Sequence, residues 1–237
     1  MNTPGKVYLV PTVLSADALF SIPAYVTAIV QQLCVFYVEN ERTARRYLKA
    51  LDRNINIDAL QLLIMNENQP PDLALAKKLL LEGKDIGILS EAGCPAIADP
   101  GNLVVQVAHS VNARVIPMIG PNSILLALMA SGLNGQNFQF AGYLPIKPPE
   151  RTKMIRELEQ ESEKKNQTQL FIETPYRNNQ LMKDILDNCK DYTKVCVAAD
   201  ITAPTEYIKT KTVKEWKQQV PDLHKRPAIF LLLAASE

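Results

Sequence analysis

DIGILSEAGCPAIADPG (85–101) decides the reading of this chain. An apolar run, DIGIL, gives way to a loop that holds two Gly, two Pro and three Ala within residues 90–101. That loop carries too much Pro and Gly to extend a strand or open a long helix. It is also too apolar for a solvated linker. In open parallel sheets, ligands sit beyond the carboxyl ends of strands. Ala92 and Gly93 would let a ligand approach the backbone, and Pro95 and Pro100 would stiffen the loop. A tight turn filling space near a domain joint is the equally simple alternative.

The pattern on either side sets the fold class. β-rich apolar runs at 6–13, 34–39, 60–65, 85–90 and 114–119 alternate with helical stretches near 20–32, 41–51, 72–82 and 102–111. Strands this apolar predict a mostly parallel sheet covered on both faces. Beyond it come FQFAGYLP (138–145), a charged helix from Glu150 to about Lys165, TQLFIET (168–174), a helix near 178–189, KVCVAADIT (194–202), EYIKTKT (206–212), a short helix near 213–219 and PAIFLLLAA (227–235). The expectation is an α/β protein of two α/β domains, residues 1–116 and 117–237, with a ligand cleft between them.

Composition excludes several classes. The 237 residues are 47% hydrophobic with net charge +1, which is ample for a core and not the balance of a strongly nucleic-acid-binding chain. The four cysteines are scattered without a C-x-x-C pair. Cys34, Cys189 and Cys196 lie in or beside apolar segments, so they are expected to be reduced and buried. His109 and His224 are far apart, so no metal site is expected. No secretory signal precedes the first strand and no apolar run spans a membrane, which predicts a cytoplasmic protein without membrane association. No G-x-G-x-x-G or P-loop spacing is present.

Three further stretches carry candidate chemistry. In IGPNSILLALMASG (119–132), Asn122 or Ser123 can cap an apolar helix whose start offers free N–H groups; a well-capped buried helix is the alternative. In ENERTARRYLKALDR (39–53), Arg42, Arg45, Arg46 and Lys49 share one helix face, either to contact phosphate or as a solvated surface. IETPYRNN (172–179) ends a strand with Glu173, Thr174, Tyr176 and Arg177, or simply caps the helix that follows.

In this order the pieces resemble the tetrapyrrole methylase superfamily of S-adenosylmethionine (SAM) methyltransferases. The likeness is strongest to the branch that methylates a cytidine ribose 2′-hydroxyl of small-subunit ribosomal RNA. YLVPT (8–12), VENERTARRYL (38–48), EGKDIGILSEAGCPAIADPG (82–101), IGPNSILLALMASGL (119–133), FAGYLP (140–145), FIETPYR (171–177) and ADITAPTEYI (199–208) match its blocks across essentially the whole chain. The resemblance implies SAM as cofactor, contacted by Pro11, Gly93, Cys94, Pro95, Ile97, Ala98, Asn122, Ser123, Glu173 and Ile201. Cys94 stands where the family has Thr, as a loop residue and not a nucleophile. Glu39, Asp99 and Glu173 are the candidate catalytic carboxylates, and Arg42, Arg45 and Arg46 the candidate grips on RNA phosphate. A homodimer acting on ribosomal RNA or the small ribosomal subunit is implied.

The chain also departs from the family pattern. Val13-Leu14-Ser15-Ala16 replaces Pro-Ile-Gly-Asn. Glu39-Asn40-Glu41-Arg42 replaces Glu-Asp-Thr-Arg. Met65-Asn66-Glu67-Asn68-Gln69 replaces a His-containing stretch, Thr202-Ala203-Pro204-Thr205-Glu206 replaces Thr-Lys-x-His-Glu, and no basic C-terminal extension follows PAIFLLLAASE. The cofactor half of the pattern is kept and the RNA half altered. A small-molecule acceptor such as a tetrapyrrole, or a non-catalytic RNA- or ribosome-binding role, is therefore carried beside the RNA methyltransferase reading.

Overall fold

The computed structural model describes residues 3–234, which form two compact units, one ending at Asn122 and the other beginning at Ser123. The alternation read from the sequence appears as strands β1 (Val7–Val10), β2 (Val35–Val38), β3 (Gln61–Ile64), β4 (Ile86–Leu89) and β5 (Val115–Pro117). Helices α1 (Ala24–Val30), α2 (Glu41–Leu51), α3 (Leu73–Leu81) and α4 (Gly101–Ser110) lie among them. The helix expected over 20–32 is split. A 3-10 turn at Leu19–Ser21 stops where Pro23 takes the N-cap of α1, because proline cannot donate inside a continuous helix.

In the first unit all strands are parallel, in the order β3-β2-β4-β1-β5. Side chains alternate across the sheet with period two. Phe36 and Val38 join a core with Val26, Val30, Ala44, Tyr47 and Leu48 of α1 and α2. Val35 and Tyr37 join the opposite core with Ala76, Leu79, Leu80, Val104 and Ala108 of α3 and α4. Each fully buried Leu, Val or Phe contributes about 1.5–3 kcal/mol. Helix ends follow local chemistry. Asn40 caps α2 by accepting the N–H groups of Arg42 (2.9 Å) and Thr43 (3.4 Å). Gly83, at φ 80°, takes the left-handed turn just after α3, where a side chain would be strained.

The second unit comprises α5 (Ser123–Ser131), β6 (Phe138–Tyr143), α6 (Pro148–Lys165), β7 (Thr168–Ile172), α7 (Asn178–Asn188), β8 (Lys194–Ala199), β9 (Tyr207–Thr212), α8 (Val213–Trp216) and β10 (Ala228–Leu233). The run read as strand 227–235 ends at Leu233, and its residue 235 lies outside the described residues. The sheet order is β6-β7-β10-β8-β9, parallel only between β6 and β7. Its core packs Phe171 against Phe230 with centroids 6.1 Å apart, beside Leu181, Ile185 and Trp216.

Among the described residues all four cysteines are free. Cys189 and Cys196 are buried, but Cys34 is exposed. The expectation that Cys34 is buried fails because it sits in the connection before β2, and the inward-facing run starts one residue later. Among the described residues, no helix is long and apolar enough to cross a membrane and no group of three or more His, Cys, Asp or Glu could hold a metal ion.

Candidate functional site

In the first unit, a cavity of about 330 Å³ opens at the carboxyl ends of β1, β2 and β4, where parallel sheets bind ligands. Thr12, Val13, Leu14 and Ala16 follow β1. Glu39 follows β2, and Ser90, Glu91 and Ala92 follow β4. Thr43, Arg46, Tyr47 and Ala50 come from one face of α2. Of the three candidate arginines, only Arg46 lines the cavity. Arg45 is held elsewhere on the helix by Glu41 (2.8 Å) and Asp58 (3.4 Å), and Arg42 is exposed.

Glu39 is half-buried, and its Oε1 accepts the Glu91 N–H at 2.8 Å. Burial pushes its carboxyl above the usual range. The Glu91 N–H works against that, and Asp99, Glu91 and Glu67 add to it as neighbouring negative charges. The Thr43 hydroxyl donates to Glu91 Oε1. These contacts place a carboxylate with raised proton affinity on the cavity wall.

Beside the cavity, three loops of the first unit are tied together. Thr12 and Gly93 exchange N–H and carbonyl bonds at 2.8 and 3.2 Å. The Cys94 thiol lies 3.4 Å from the Pro121 carbonyl and also bonds the Asn122 side chain. Burial pushes this thiol up, against the Asn122 bond, so it stays a protonated donor; this suits a loop residue and not a nucleophile. Gly120 packs on Pro11 so closely that a Cβ there would fall 2.1 Å from Pro11 Cβ. Gly93, Ala96 and Ala98 have φ of 80°, 66° and 60°. For alanine this is costly backbone, which persists only where the surroundings over-determine it and which clusters at ligand sites. Pro95 is buried, while Ile97 is 46% exposed.

Asp99 holds this loop in shape. Its Oδ1 accepts the N–H groups of Ala96 (3.0 Å) and Gly101 (2.8 Å), bracing the start of α4. Burial raises its carboxyl, partly offset by those N–H groups and that of Ile97.

The second unit carries the remaining candidates. Glu173, at the end of β7, is buried; its Oε1 accepts from Thr174 N (2.6 Å) and Arg177 Nη2 (2.5 Å). Ile201 is 8% exposed, between Asp200 and Thr202 at φ 52° and 72°. Asp200 Oδ2 is tied to Arg226 Nε at 2.7 Å. Ser123 is the first residue of α5.

Among the described residues, six buried side-chain polar atoms lack a hydrogen-bond partner. Asp99 Oδ2, Glu173 Oε2, Arg177 Nε and Thr202 Oγ1 are four of these, and all four lie in the matched blocks 82–101, 171–177 and 199–208. Unpaired buried polar atoms are costly and call for an explanation. Sequence reasoning missed Tyr47 as a site residue, and took Ser90 and Glu91 only as the opening of the loop 90–101. Tyr47 reads as an ordinary apolar-face residue of an amphipathic helix, and no local signal marks it otherwise.

Comparison with known proteins gives these features a context. The model of the Tetrapyrrole (Corrin/Porphyrin) Methylases matches residues 11–217. Ribosomal RNA small subunit methyltransferase I of Escherichia coli O157:H7 is 30% identical over 214 residues, covering 90% of this chain and 71% of that protein. The methyltransferase CobJ shares the fold, with a TM-score of 0.62 at 16% identity over 97% of this chain and 94% of that one. Uroporphyrin-III C-methyl transferase from Thermus thermophilus, complexed with S-adenyl homocysteine, does so with a TM-score of 0.52 at 17% identity over 97% of both. With a family match from residue 11 to residue 217 and a curated relative aligned over most of both chains, the chain belongs to the tetrapyrrole (corrin/porphyrin) methylase family.

Proposed function

We propose that this methyltransferase carries a methyl group from SAM to a ribose 2′-hydroxyl of ribosomal RNA, as a cytoplasmic homodimer. The observation that carries the cofactor part is the set of small-residue loops with left-handed alanines and unpaired buried polar atoms. SAM presents an adenine edge, ribose hydroxyls, and an amino-acid head with an ammonium and a carboxylate. Closely approaching backbone groups and orphaned acceptors fit those features without long side chains. Pro11, Gly93, Cys94, Pro95, Ile97, Ala98, Asn122, Ser123, Glu173 and Ile201 would hold it. Bound there, SAM supplies an electrophilic methyl on its sulfonium.

The first unit's cavity, beside that unit's own loops, supports the acceptor part. Glu39, with its raised proton affinity, would take the proton from the 2′-hydroxyl that accepts the methyl group, the sulfonium carbon–sulfur bond breaking with its electron pair left on sulfur to release S-adenosylhomocysteine; general bases of this kind contribute about 10²–10⁴-fold. Arg46 on the same wall would meet a phosphate or a base edge. Asp99 then acts through its loop, as a brace, while Glu173 serves the cofactor set from its pair with Arg177.

Tritiated SAM incubated with the protein and small-subunit RNA tests the whole reading. Label in RNA, lost on substitution of Glu39, supports it. Label in an added tetrapyrrole but not in RNA favours the small-molecule acceptor, a reading supported by the near-neutral charge. SAM binding without transfer to either supports the non-catalytic role.

A further inference from the structure

We propose that Tyr47 is the positioning residue that locks the first cofactor loop in place from the acceptor cavity. This rests on the cofactor reading above. Tyr47 is 8% exposed and lines the cavity, and its hydroxyl donates to the Pro11 carbonyl at 2.5 Å. Pro11 is the point on which the three loops converge. Gly120 sits against its ring with no room for a Cβ. Thr12, the next residue, is joined to Gly93 by two backbone bonds and a side-chain hydroxyl at 3.3 Å. Cys94 then reaches the Pro121 carbonyl. A shift of the Pro11 carbonyl is therefore passed to the 93–98 loop through Thr12 and to residues 120–121 through packing. Backbone that is already in left-handed conformations at 93, 96 and 98 holds its shape only while such supports stay in place.

The same helix face touches whatever fills the cavity. Thr43, Arg46 and Tyr47 all line it, and the Thr43 hydroxyl holds Glu91 on the loop leading to Gly93. One turn of α2 thus lines the acceptor side with Arg46 and Tyr47, and holds the cofactor side with two hydroxyls.

The test is Tyr47→Phe, which keeps the ring and removes the hydroxyl. Tyr37→Phe is a matched control. Tyr37, on β2, is also a buried tyrosine of the first unit, and its hydroxyl donates to a backbone carbonyl, Asp72 O at 2.8 Å, but towards the opposite core. SAM affinity by calorimetry, melting temperature, and binding of a labelled small-subunit RNA fragment are measured for both variants and the wild-type chain. Tyr47→Phe should weaken SAM by about tenfold, the size of one lost hydrogen bond, and leave RNA binding unchanged. Tyr37→Phe should lower the melting temperature comparably and leave SAM affinity as it was. Wild-type SAM affinity in Tyr47→Phe, or equal SAM losses in both variants, would overturn the role of Tyr47 while leaving the cofactor site standing. Failure of the wild-type chain to bind SAM would overturn the cofactor reading, and the lock with it.

Discussion

Two of the candidate carboxylates, Glu39 and Asp99, have different surroundings, and single substitutions separate them. Glu39 faces the cavity with its carboxyl raised by burial and by neighbouring acids. If it is the base, Glu39→Gln should cost about 10²–10⁴ in kcat. Because a base must be ionised to act, the wild-type rate should rise with pH through a limb lying above the ordinary glutamate range, and that limb should vanish in the variant. Asp99 instead spends one oxygen on the Ala96 and Gly101 N–H groups. Asparagine keeps that acceptor and removes the charge, so Asp99→Asn should hold kcat within about tenfold, short of the loss of a general base. The stability sign follows from its raised carboxyl. A raised folded-state value means a stabilising contribution that is complete below the ordinary aspartate range and lost as pH rises through the folded-state value. Denaturant melts from acid to neutral pH should show that slope in the wild type and a flatter one in Asp99→Asn. A large kcat loss in Asp99→Asn with wild-type behaviour in Glu39→Gln would exchange the two roles.

Helix α2 shows what an element's sequence reveals and what it hides. The cap at Asn40, the acid in the first turn and the apolar face through Ala44, Tyr47 and Leu48 are all readable. The basic stripe is readable too, since i, i+3, i+4 and i+7 spacing follows from helix geometry. Which arginine meets the cavity is not readable, because that depends on where the ends of β1 and β4 fall and on Asp58, a surface acid outside the helix that takes Arg45. Arg46→Ala should therefore weaken RNA binding and reduce its salt slope by about one. Arg45→Ala should change both little, because it exchanges only exposed ion pairs. Anisotropy titrations of a labelled RNA at several salt concentrations separate the two, and an Arg45 effect larger than that of Arg46 would return the phosphate contact to the outer face of the helix. The loop 90–101 was legible as punctuation, since Pro and Gly mark a break wherever they fall. Its left-handed alanines were not, because alanine gives no sign of a positive φ.

For the whole molecule, the alternation of apolar runs and helices was enough to read the first sheet, because strands covered on both faces have no polar side to confuse the pattern. The same logic falls short for β10. Its six residues are all buried, as in a central parallel strand, yet it pairs antiparallel with β7 and β8, since burial reports coverage and not direction. The cores lie within the separate units, so heating need not melt the chain in one step. Ligand linkage gives the sharpest test at this scale. A cofactor that binds only the folded chain stabilises it by about 2.7 kcal/mol at a hundredfold excess over Kd. At roughly 2–4 °C per kcal/mol for a chain of this size, the melting temperature should rise by about 5–10 °C. Scanning calorimetry with and without S-adenosylhomocysteine measures the shift, and where two transitions are resolved it also identifies the unit whose loops hold the cofactor. A shift confined to the transition of the first unit would leave Pro11, Gly93, Cys94, Pro95, Ile97, Ala98 and Asn122 as the site and remove Ser123, Glu173 and Ile201 from it. No shift at saturating ligand would mean that the strained loops and their orphaned oxygens serve something other than SAM.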